Sequence, residues 1–451
     1  MYNIATMFAK TFRGGVHPAE HKESTVDKKI KLVPAAPEII LPLNQHIGAP
    51  NEPLVRPGDT VKLGQRIAES KALVSAPVHS SVSGQVKAIQ DFFNPIHGKA
   101  PAAVIENDGK DESLPFEERE NPDILPKEKL INIVKDSGIV GLGGAAFPTH
   151  VKLNLPKGKS VDTLIVNGAE CEPYLTCDHR LMVEGTDKII KGIYLAAGIL
   201  SVKNIFLAVE ENKLSAVFAM EKAVREISTK SARPKEVPLQ IMVLKTKYPQ
   251  GGEKQLVKVI LKREVPPGKL PLDVGVVVQN VGTCFAIYEA IYEGKPLIER
   301  CVTLTGSCLR EPGNFIVRLG TPLRDVVKFC GGFKEPPAKI IMGGPMMGVA
   351  QYTQDIPIIK GTTGVVFLSK KEAEIPEELS CVRCARCVDI CPVNLLPTEI
   401  MRMVKYSRWH RMEELHPSDC IDCGACAYAC LSKIPLVQYI KLAKQKELKK
   451  K

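Results

Sequence analysis

Cys381-Val382-Arg383-Cys384-Ala385-Arg386-Cys387-Val388-Asp389-Ile390-Cys391-Pro392 is answered further along by Cys420-Ile421-Asp422-Cys423-Gly424-Ala425-Cys426-Ala427-Tyr428-Ala429-Cys430. Each run places three thiols at intervals of three and a fourth four residues on. Three thiolates so spaced let a tight loop surround one face of an iron-sulfur cubane, while the fourth, on the helix that follows, reaches the neighbouring cluster. The spacing predicts one 4Fe-4S cluster on Cys381, Cys384, Cys387 and Cys430, and a second on Cys420, Cys423, Cys426 and Cys391. Structural zinc also takes four thiolates, but usually on paired Cys-x-x-Cys knuckles rather than two consecutive triplets each with a fourth member. Pro392 ends the first loop by fixing φ and removing a donor; Leu431 stands at the matching place in the second. Two such clusters carry electrons one at a time.

The module spans 377–451 and is entered through an acidic, proline-containing stretch at 370–379. Between the runs, residues 396–415 read as an amphipathic helical segment with Met401, Met403 and Trp409 as core. The basic tail at 441–451 carries much of the net charge of +11. Such a tail suits an acidic electron carrier, an anionic membrane surface or a nucleic acid, or is simply a solvated helix end.

Upstream, residues 296–369 alternate short β segments with glycine and proline turns, which predicts a small mixed β domain. Residues 127–290 alternate strands, such as 163–166 and 205–209, with helices, such as 187–197 and 214–227, the rhythm of an α/β domain. An acidic linker at 107–126 separates it from 31–110, where short strands are punctuated by Arg56-Pro57-Gly58-Asp59 and Ser83-Gly84-Gln85. That pattern resembles the barrel-sandwich fold of lipoyl and biotinyl carriers. Lys71 lies near the position those domains modify, but lacks the flanking acids or methionines that modifying enzymes read, so it is expected to stay unmodified. Residues 1–30 form a turn-rich strip containing Phe12-Arg13-Gly14-Gly15-Val16-His17-Pro18 and are expected to wrap onto another domain.

A chain of 451 residues with 44% hydrophobic and 25% charged residues is an ordinary multidomain globular protein. Its longest apolar stretch, 189–209, is broken by Lys191, Lys203 and Asn204, so no membrane span is expected. Residues 1–15 lack the apolar core of a secretory signal. Fourteen cysteines, eight at cluster spacing, point to a reducing, cytoplasmic location. Cys171, Cys177, Cys284, Cys301, Cys308 and Cys330 have no ligand spacing and are expected as small buried hydrophobes.

Within 127–290, Gly141-Leu142-Gly143-Gly144-Ala145-Ala146 brings backbone N–H groups together and leaves room for a phosphate or a flat ring. As a dinucleotide fingerprint it is incomplete, because a helix rather than a strand is predicted before it. Asn167-Gly168-Ala169-Glu170-Cys171-Glu172-Pro173 follows an apolar strand, the place where open α/β sheets put ligands. Tyr248-Pro249-Gln250-Gly251-Gly252-Glu253 and Gln279-Asn280-Val281-Gly282-Thr283 complete the set.

The order of these four segments resembles the flavin-carrying, NADH-oxidising subunit of respiratory complex I. Gly143, Gly144, Ala145, Phe147, Pro148, Thr149 and Lys152 match that family's glycine-rich loop; Asn167, Glu170, Glu172 and Pro173 match its acidic strand-end segment; Tyr248, Gly251 and Glu253 match the third segment, and Asn280, Val281 and Thr283 the fourth. Ala169, Gly252 and Gln279 depart from it. With the N-terminal strip, barrel-sandwich, β-grasp domain and two-cluster module in order, the whole chain more closely resembles the C subunit of the Rnf complex, a membrane-bound ion-pumping ferredoxin:NAD oxidoreductase.

That resemblance implies non-covalent FMN, NAD(H) as substrate, and a peripheral place on the cytoplasmic face of the membrane beside a cluster-rich, ferredoxin-accepting subunit, with no nucleic-acid partner. It implies that Gly141, Gly143, Gly144 and Lys152 lie near the FMN phosphate or the dinucleotide, that Asn167, Glu170 and Glu172 hold flavin and ribose, and that Phe147 stacks on a ring. Tyr248, Gly251, Asn280 and Thr283 would line the cofactor, with Glu172 and Glu253 as the catalytic acids. A flavin-free conduit or scaffold, and a cobalamin-reductase-like protein of similar domain order, are the alternative readings.

Overall fold

The computed structural model describes residues 9–96, 98–230 and 237–448. The central unit is a four-stranded parallel sheet in the order Leu239–Leu244, Asn204–Glu210, Thr163–Gly168, Val276–Asn280. Numbered along the chain this is 3-2-1-4, a doubly wound arrangement in which the winding reverses between Thr163–Gly168 and Val276–Asn280. Those two strands run in register to their carboxyl ends, with Asn167 opposite Asn280.

The apolar stretch 189–209 divides into the helix Thr186–Leu200 and the strand Asn204–Glu210. Ile189, Ile190, Ile193, Ala196, Ala197 and Leu200 recur at helical spacing and are buried, each large aliphatic side chain stabilising the core by about 1.5–3 kcal/mol. This helix packs on Val281–Tyr292, and Gly192 permits the approach, since a side chain there would collide with the Cys284 carbonyl. Ser201 ends the helix in a left-handed conformation at φ 55°.

Residues 38–107 form the barrel-sandwich: a four-stranded sheet in the order Glu38–Pro42, Gly98–Asn107, Gly84–Asn94, Thr60–Val61, facing three short strands, Glu52–Pro53, Arg66–Glu69 and Val78–His79. Lys31–Leu32, grouped with this domain on sequence grounds, instead pair in parallel with Phe315 and Ile316. They form the edge of a six-stranded mixed sheet built from Gly313–Arg318, Glu299–Thr305, Gly364–Leu368, Lys339–Met342 and Val349–Gln351.

Buried cations tie the three domains together. Lys360 is fully buried and donates to the carbonyls of Pro77 at 2.6 Å and Gly138 at 2.8 Å. Arg300 donates to the Leu142 carbonyl at 2.5 Å and to that of Lys360. The N-terminal strip does wrap: Val16 exchanges backbone hydrogen bonds with Tyr248, and the Gly15 N–H donates to the Ile390 carbonyl in the cysteine module.

In that module the expected 396–415 helix is interrupted. Pro397–Lys405 is helical, Ser407 turns left-handed at φ 54°, and Met412–Leu415 is a separate short helix. Met401, Met403 and Met412 are buried with Ile400, Leu436 and Ile440, as a core reading requires, with Trp409 packed partly buried against them. Among the described residues no helix is long and apolar enough to cross a membrane.

Candidate functional site

The 141–146 loop, the carboxyl ends of two strands and the start of a helix meet where the sheet reverses. The Gly141 N–H donates to the Phe147 carbonyl at 2.8 Å, folding the loop back on itself. The Leu142 N–H donates at 2.9 Å to the hydroxyl of Thr283, which is fully buried. Gly143 is required by crowding: a Cβ there would stand 2.6 Å from the Asn280 amide nitrogen. Gly144 is different, being exposed with nothing within 4 Å of a would-be Cβ. Phe147 is half-buried at the end of the loop.

Asn280 caps the Val281–Tyr292 helix, its Oδ1 accepting from the Gly282 N–H at 2.8 Å while its Nδ2 donates to Asp178 at 2.6 Å. Asn167, its neighbour across the sheet, donates to the Gly251 carbonyl at 2.9 Å and accepts from the Ala169 N–H at 3.0 Å. Gly251 is crowded from the other side, where the Ala169 carbonyl would meet a side chain, and its N–H donates to the Cys171 sulfur at 3.4 Å. Lys152 reaches over from the short helix Thr149–Leu153, donating to Glu253 at 2.6 Å and to the Val278 carbonyl at 3.2 Å. An ammonium has three donors, so one remains for a ligand. Thus Gly141, Gly143, Gly144, Lys152, Asn167, Gly251, Glu253, Asn280 and Thr283 come together.

The other expected contacts are committed elsewhere. The buried Glu170 carboxylate accepts from the Asp178 N–H at 3.0 Å and the Cys177 thiol at 3.4 Å, closing the first turn of the Cys177–Glu184 helix. Glu172, expected at the nicotinamide, turns to a different domain: its two oxygens accept the Met346 and Met347 N–H groups at 3.0 and 2.9 Å. Burial pushes its carboxyl up to about 7, with those two amides pulling the other way. Tyr248 is buried in an apolar cluster with Val16, Cys423 and Ala425, and its hydroxyl has no hydrogen-bond partner among the described residues.

Several groups here escaped the sequence reading. Asp178 is pushed up to about 7, first by desolvation and then by the charge of Glu170; an acid in the first turn after a glycine-rich strand end was the available signal. Lys22 and Lys213, both buried, donate to the Glu170 carbonyl at 2.5 and 3.4 Å, and Lys213 pairs with Glu210 at 2.5 Å. Burial, then the charge of Lys213, lowers the Lys22 pKa, whereas burial of Lys213 is outweighed by Glu210 and Glu170. The buried Gln279 amide nitrogen, near the carboxyl end of its strand, has no partner among the described residues.

The two cysteine runs are structural repeats, 39 positions apart from Cys381 to Cys420. Left-handed residues recur at equivalent places: Arg383 and Asp422, Ala385 and Gly424, Asn394 and Lys433. The Arg383 and Asp422 N–H groups donate to the Cys381 and Cys420 sulfurs at 3.4 and 3.3 Å, and the Leu395 N–H to Cys391 at 3.3 Å. The fourth thiol of each run is close enough to the triplet of the other to act on it electrostatically. Burial raises the Cys387 thiol, Thr398 draws it back, and Cys430 of the other run adds to the rise. Burial pushes Cys423 up to about 11 and Cys426 to about 12, with Cys391 of the other run contributing to both.

Among the described residues no three His, Cys, Asp or Glu side chains converge on a single-ion site; a cubane, with its ligands on separate irons, spreads its thiolates more widely than one tetrahedral ion does. Donor set, N–H···S bonds and the approach of each fourth thiol to the other run fit a pair of cubanes. The switch-point cradle, with open space over Gly144 and a free donor on Lys152, fits a phosphate-bearing flat ring.

Comparison with known proteins finds a family model in each of four regions. A barrel-sandwich model, the RnfC barrel sandwich hybrid domain, matches residues 10–110; the Nuo51 FMN-binding domain matches 134–289; an SLBB domain matches 301–350; a 4Fe-4S dicluster domain matches 380–434. An NAD+-reducing nickel-iron hydrogenase, known from a crystal structure in the H2-reduced state, shares the fold at TM-score 0.53 and 19% identity over 72% of this chain and 63% of that one.

The fold and site define an electron-transfer flavoprotein with an FMN-binding domain and a ferredoxin-like two-cluster module. The C subunit of the proton-translocating ferredoxin:NAD(+) oxidoreductase complex of Clostridium ljungdahlii is 47% identical over 96% of this chain and 93% of its own length. The Na(+)-translocating counterpart of Acetobacterium woodii is 43% identical over 96% of each. The chain belongs to the RnfC family, the C subunits of the Rnf ion-translocating oxidoreductase complexes.

Proposed function

We propose that NAD(H) reacts with FMN held at the switch point between Asn167 and Asn280, and that electrons pass singly between that site and the cysteine module, at the cytoplasmic face of the membrane. The observation that carries this reading is the convergence of the 141–146 loop, Lys152, Asn167 and Asn280 at the sheet reversal, with the second cysteine run packed against Tyr248 of the same domain. Bound there, FMN exchanges a hydride with nicotinamide and divides the electron pair into single electrons that iron-sulfur centres accept.

The chain's own groups place and polarise. The free donor of Lys152 meets a phosphate, Glu253 fixes the direction of that ammonium, and the exposed N–H groups of the 143–145 turn add to the anion site. Gly144 leaves space for a ring. Asn167 and Asn280, each held at both ends of its amide, orient the strand ends without rotameric freedom, and Glu253, partly exposed beside the cradle, would be open to a dinucleotide bound there. Phe147 closes the loop end as a stacking face. The ligand sets are Cys381, Cys384, Cys387 and Cys430 for one cluster and Cys420, Cys423, Cys426 and Cys391 for the other.

A cytoplasmic location is supported by the eight cysteines at cluster spacing, with none of the described cysteines in a disulfide. The partner is the cluster-rich subunit that takes electrons from ferredoxin. Relatives named for different ions share similar identity with this chain, which supports assigning ion choice to other subunits. Anaerobic flavin, iron and sulfide analysis of wild type and Lys152→Met tests the reading: it expects FMN and two clusters in wild type, and lost flavin with retained iron in the variant. Flavin-free wild type with intact clusters would leave only the conduit reading.

A further inference from the structure

Gly343-Gly344-Pro345-Met346-Met347-Gly348 links the strands Lys339–Met342 and Val349–Gln351, and the Gly348 N–H closes the turn on the Gly344 carbonyl at 2.8 Å. Its apex lies between two other domains. On one side the Met346 and Met347 N–H groups enter the Glu172 carboxylate. On the other, the Met346 side chain joins the cluster of Tyr248, Val16, Cys423 and Ala425, and its carbonyl lies 3.0 Å from where a Cβ on Gly424 would stand. Gly424 sits between Cys423 and Cys426. The loop therefore spans from the flavin domain to the second cysteine run, and Glu172 is its attachment on the flavin side. Gln255, on the helix that Glu253 begins, makes a parallel tie to the Pro392 carbonyl at 3.5 Å, beside Cys391.

A carboxylate serves both amides because each oxygen is an acceptor. Glutamine of the same shape offers one acceptor and one donor, so one of the two N–H groups would face another donor. The loop side is equally constrained, because a side chain on Gly344 would run into the Glu172 carboxylate.

We propose that Glu172 is a positioning residue for electron transfer: by gripping the Met346 and Met347 amides it fixes the distance between the flavin site and the second cysteine run. This rests on the reading that flavin occupies the switch point and that the second run holds a cluster. NADH gives NAD+, one proton and two electrons; the proton goes to water, and the electrons leave one at a time across this interface, one to each cluster. Glu172 takes no part in the hydride step.

The test uses the full chain with its flavin and clusters, as wild type, Glu172→Gln and Gly344→Ala. Amide hydrogen exchange is expected to accelerate about tenfold at one of Met346 and Met347 in Glu172→Gln and at both in Gly344→Ala, the loss of a hydrogen bond to a charged group at each affected amide. In anaerobic stopped flow, NADH-driven flavin bleaching keeps its wild-type rate, while the following cluster bleaching slows several-fold, as lengthening a distance-sensitive electron step gives. Wild-type cluster bleaching in both variants overturns the proposal. So does slow flavin bleaching in Glu172→Gln with a normal cluster step, which would put Glu172 at the nicotinamide. Should Glu172→Gln lose clusters during preparation, the same two rates in Gly344→Ala decide. A wild-type chain whose flavin NADH does not bleach would instead contradict the functional reading, and is visible before any variant is made.

Discussion

Lys152 Nζ lies 2.6 Å from Glu253 Oε1, joining the short helix after the glycine loop to the first turn of the helix after Gly251-Gly252. The pair is partly exposed, so its value to stability is small, about 0–1 kcal/mol. Its value to binding is larger, because a charge-assisted hydrogen bond to phosphate contributes about 1.5–3 kcal/mol. Lys152→Met is expected to weaken FMN binding by about ten- to a hundredfold with little change in melting temperature. Glu253→Gln, which frees the ammonium, should weaken FMN binding far less. Fluorescence titration of the flavin-depleted chain, beside thermal melts, checks both.

Gly143 and Gly144 are neighbours with opposite constraints. Gly143→Ala forces a methyl into Asn280 and disturbs the cap and the Asp178 bond together, so it should destabilise by about 1–3 kcal/mol. Gly144→Val puts its Cβ where no described protein atom lies within 4 Å and should melt like wild type while losing FMN affinity by about tenfold, or 1.4 kcal/mol. Wild-type FMN affinity in Gly144→Val would mean that the open space over Gly144 is not a ligand cradle.

The proposed crossing of the fourth cysteines predicts which ligand substitutions remove the same cluster. Cys430→Ala should remove the cluster whose other ligands begin at Cys381, and Cys391→Ala the one whose others begin at Cys420. Electron paramagnetic resonance of the two variants after reduction should therefore each show one cluster, and the signal lost by Cys430→Ala should match that lost by Cys384→Ala. Matching between Cys430→Ala and Cys423→Ala would mean that each run closes on itself.

Asp178 sets a pH dependence of stability. Its folded pKa, raised to about 7 by desolvation and Glu170, exceeds the ordinary carboxylate value of 3.8. The folded state therefore binds more protons between those values, and stability falls as pH rises through that window. Asp178→Asn keeps an acceptor for the Asn280 amide but drops the charge. It should be about 1–3 kcal/mol more stable than wild type at pH 8, with the advantage vanishing near pH 4. Thermal midpoints at the two pH values check the sign; a variant less stable at pH 8 would contradict it.

Much of the fold was legible because its signals are local. The strands at 163–166 and 205–209 and the helices at 187–197 and 214–227 are short periodic segments whose ends shift by only a few residues, and the cysteine spacing names its own chemistry. What was not legible depends on distant partners. Lys31–Leu32 look like a barrel strand until Phe315 and Ile316 lie beside them. Ser407 breaks an otherwise continuous amphipathic pattern by turning left-handed, although nothing in its composition demands it. Glu172 sits in a motif that suggests flavin contact, yet its direction is decided by amides 174 and 175 residues away. Asp178, Lys22, Arg300 and Lys360 matter only through contacts that fold together four separate parts of the chain.

A single redox line from nicotinamide through the switch-point site to the cysteine module can be read in one trace, by anaerobic mixing of the FMN- and cluster-loaded chain with NADH. Flavin absorbance should fall first, followed by loss of the broad iron-sulfur absorbance. Clusters that stay oxidised while the flavin bleaches, at a driving force known from their measured potentials to be favourable, would break that line.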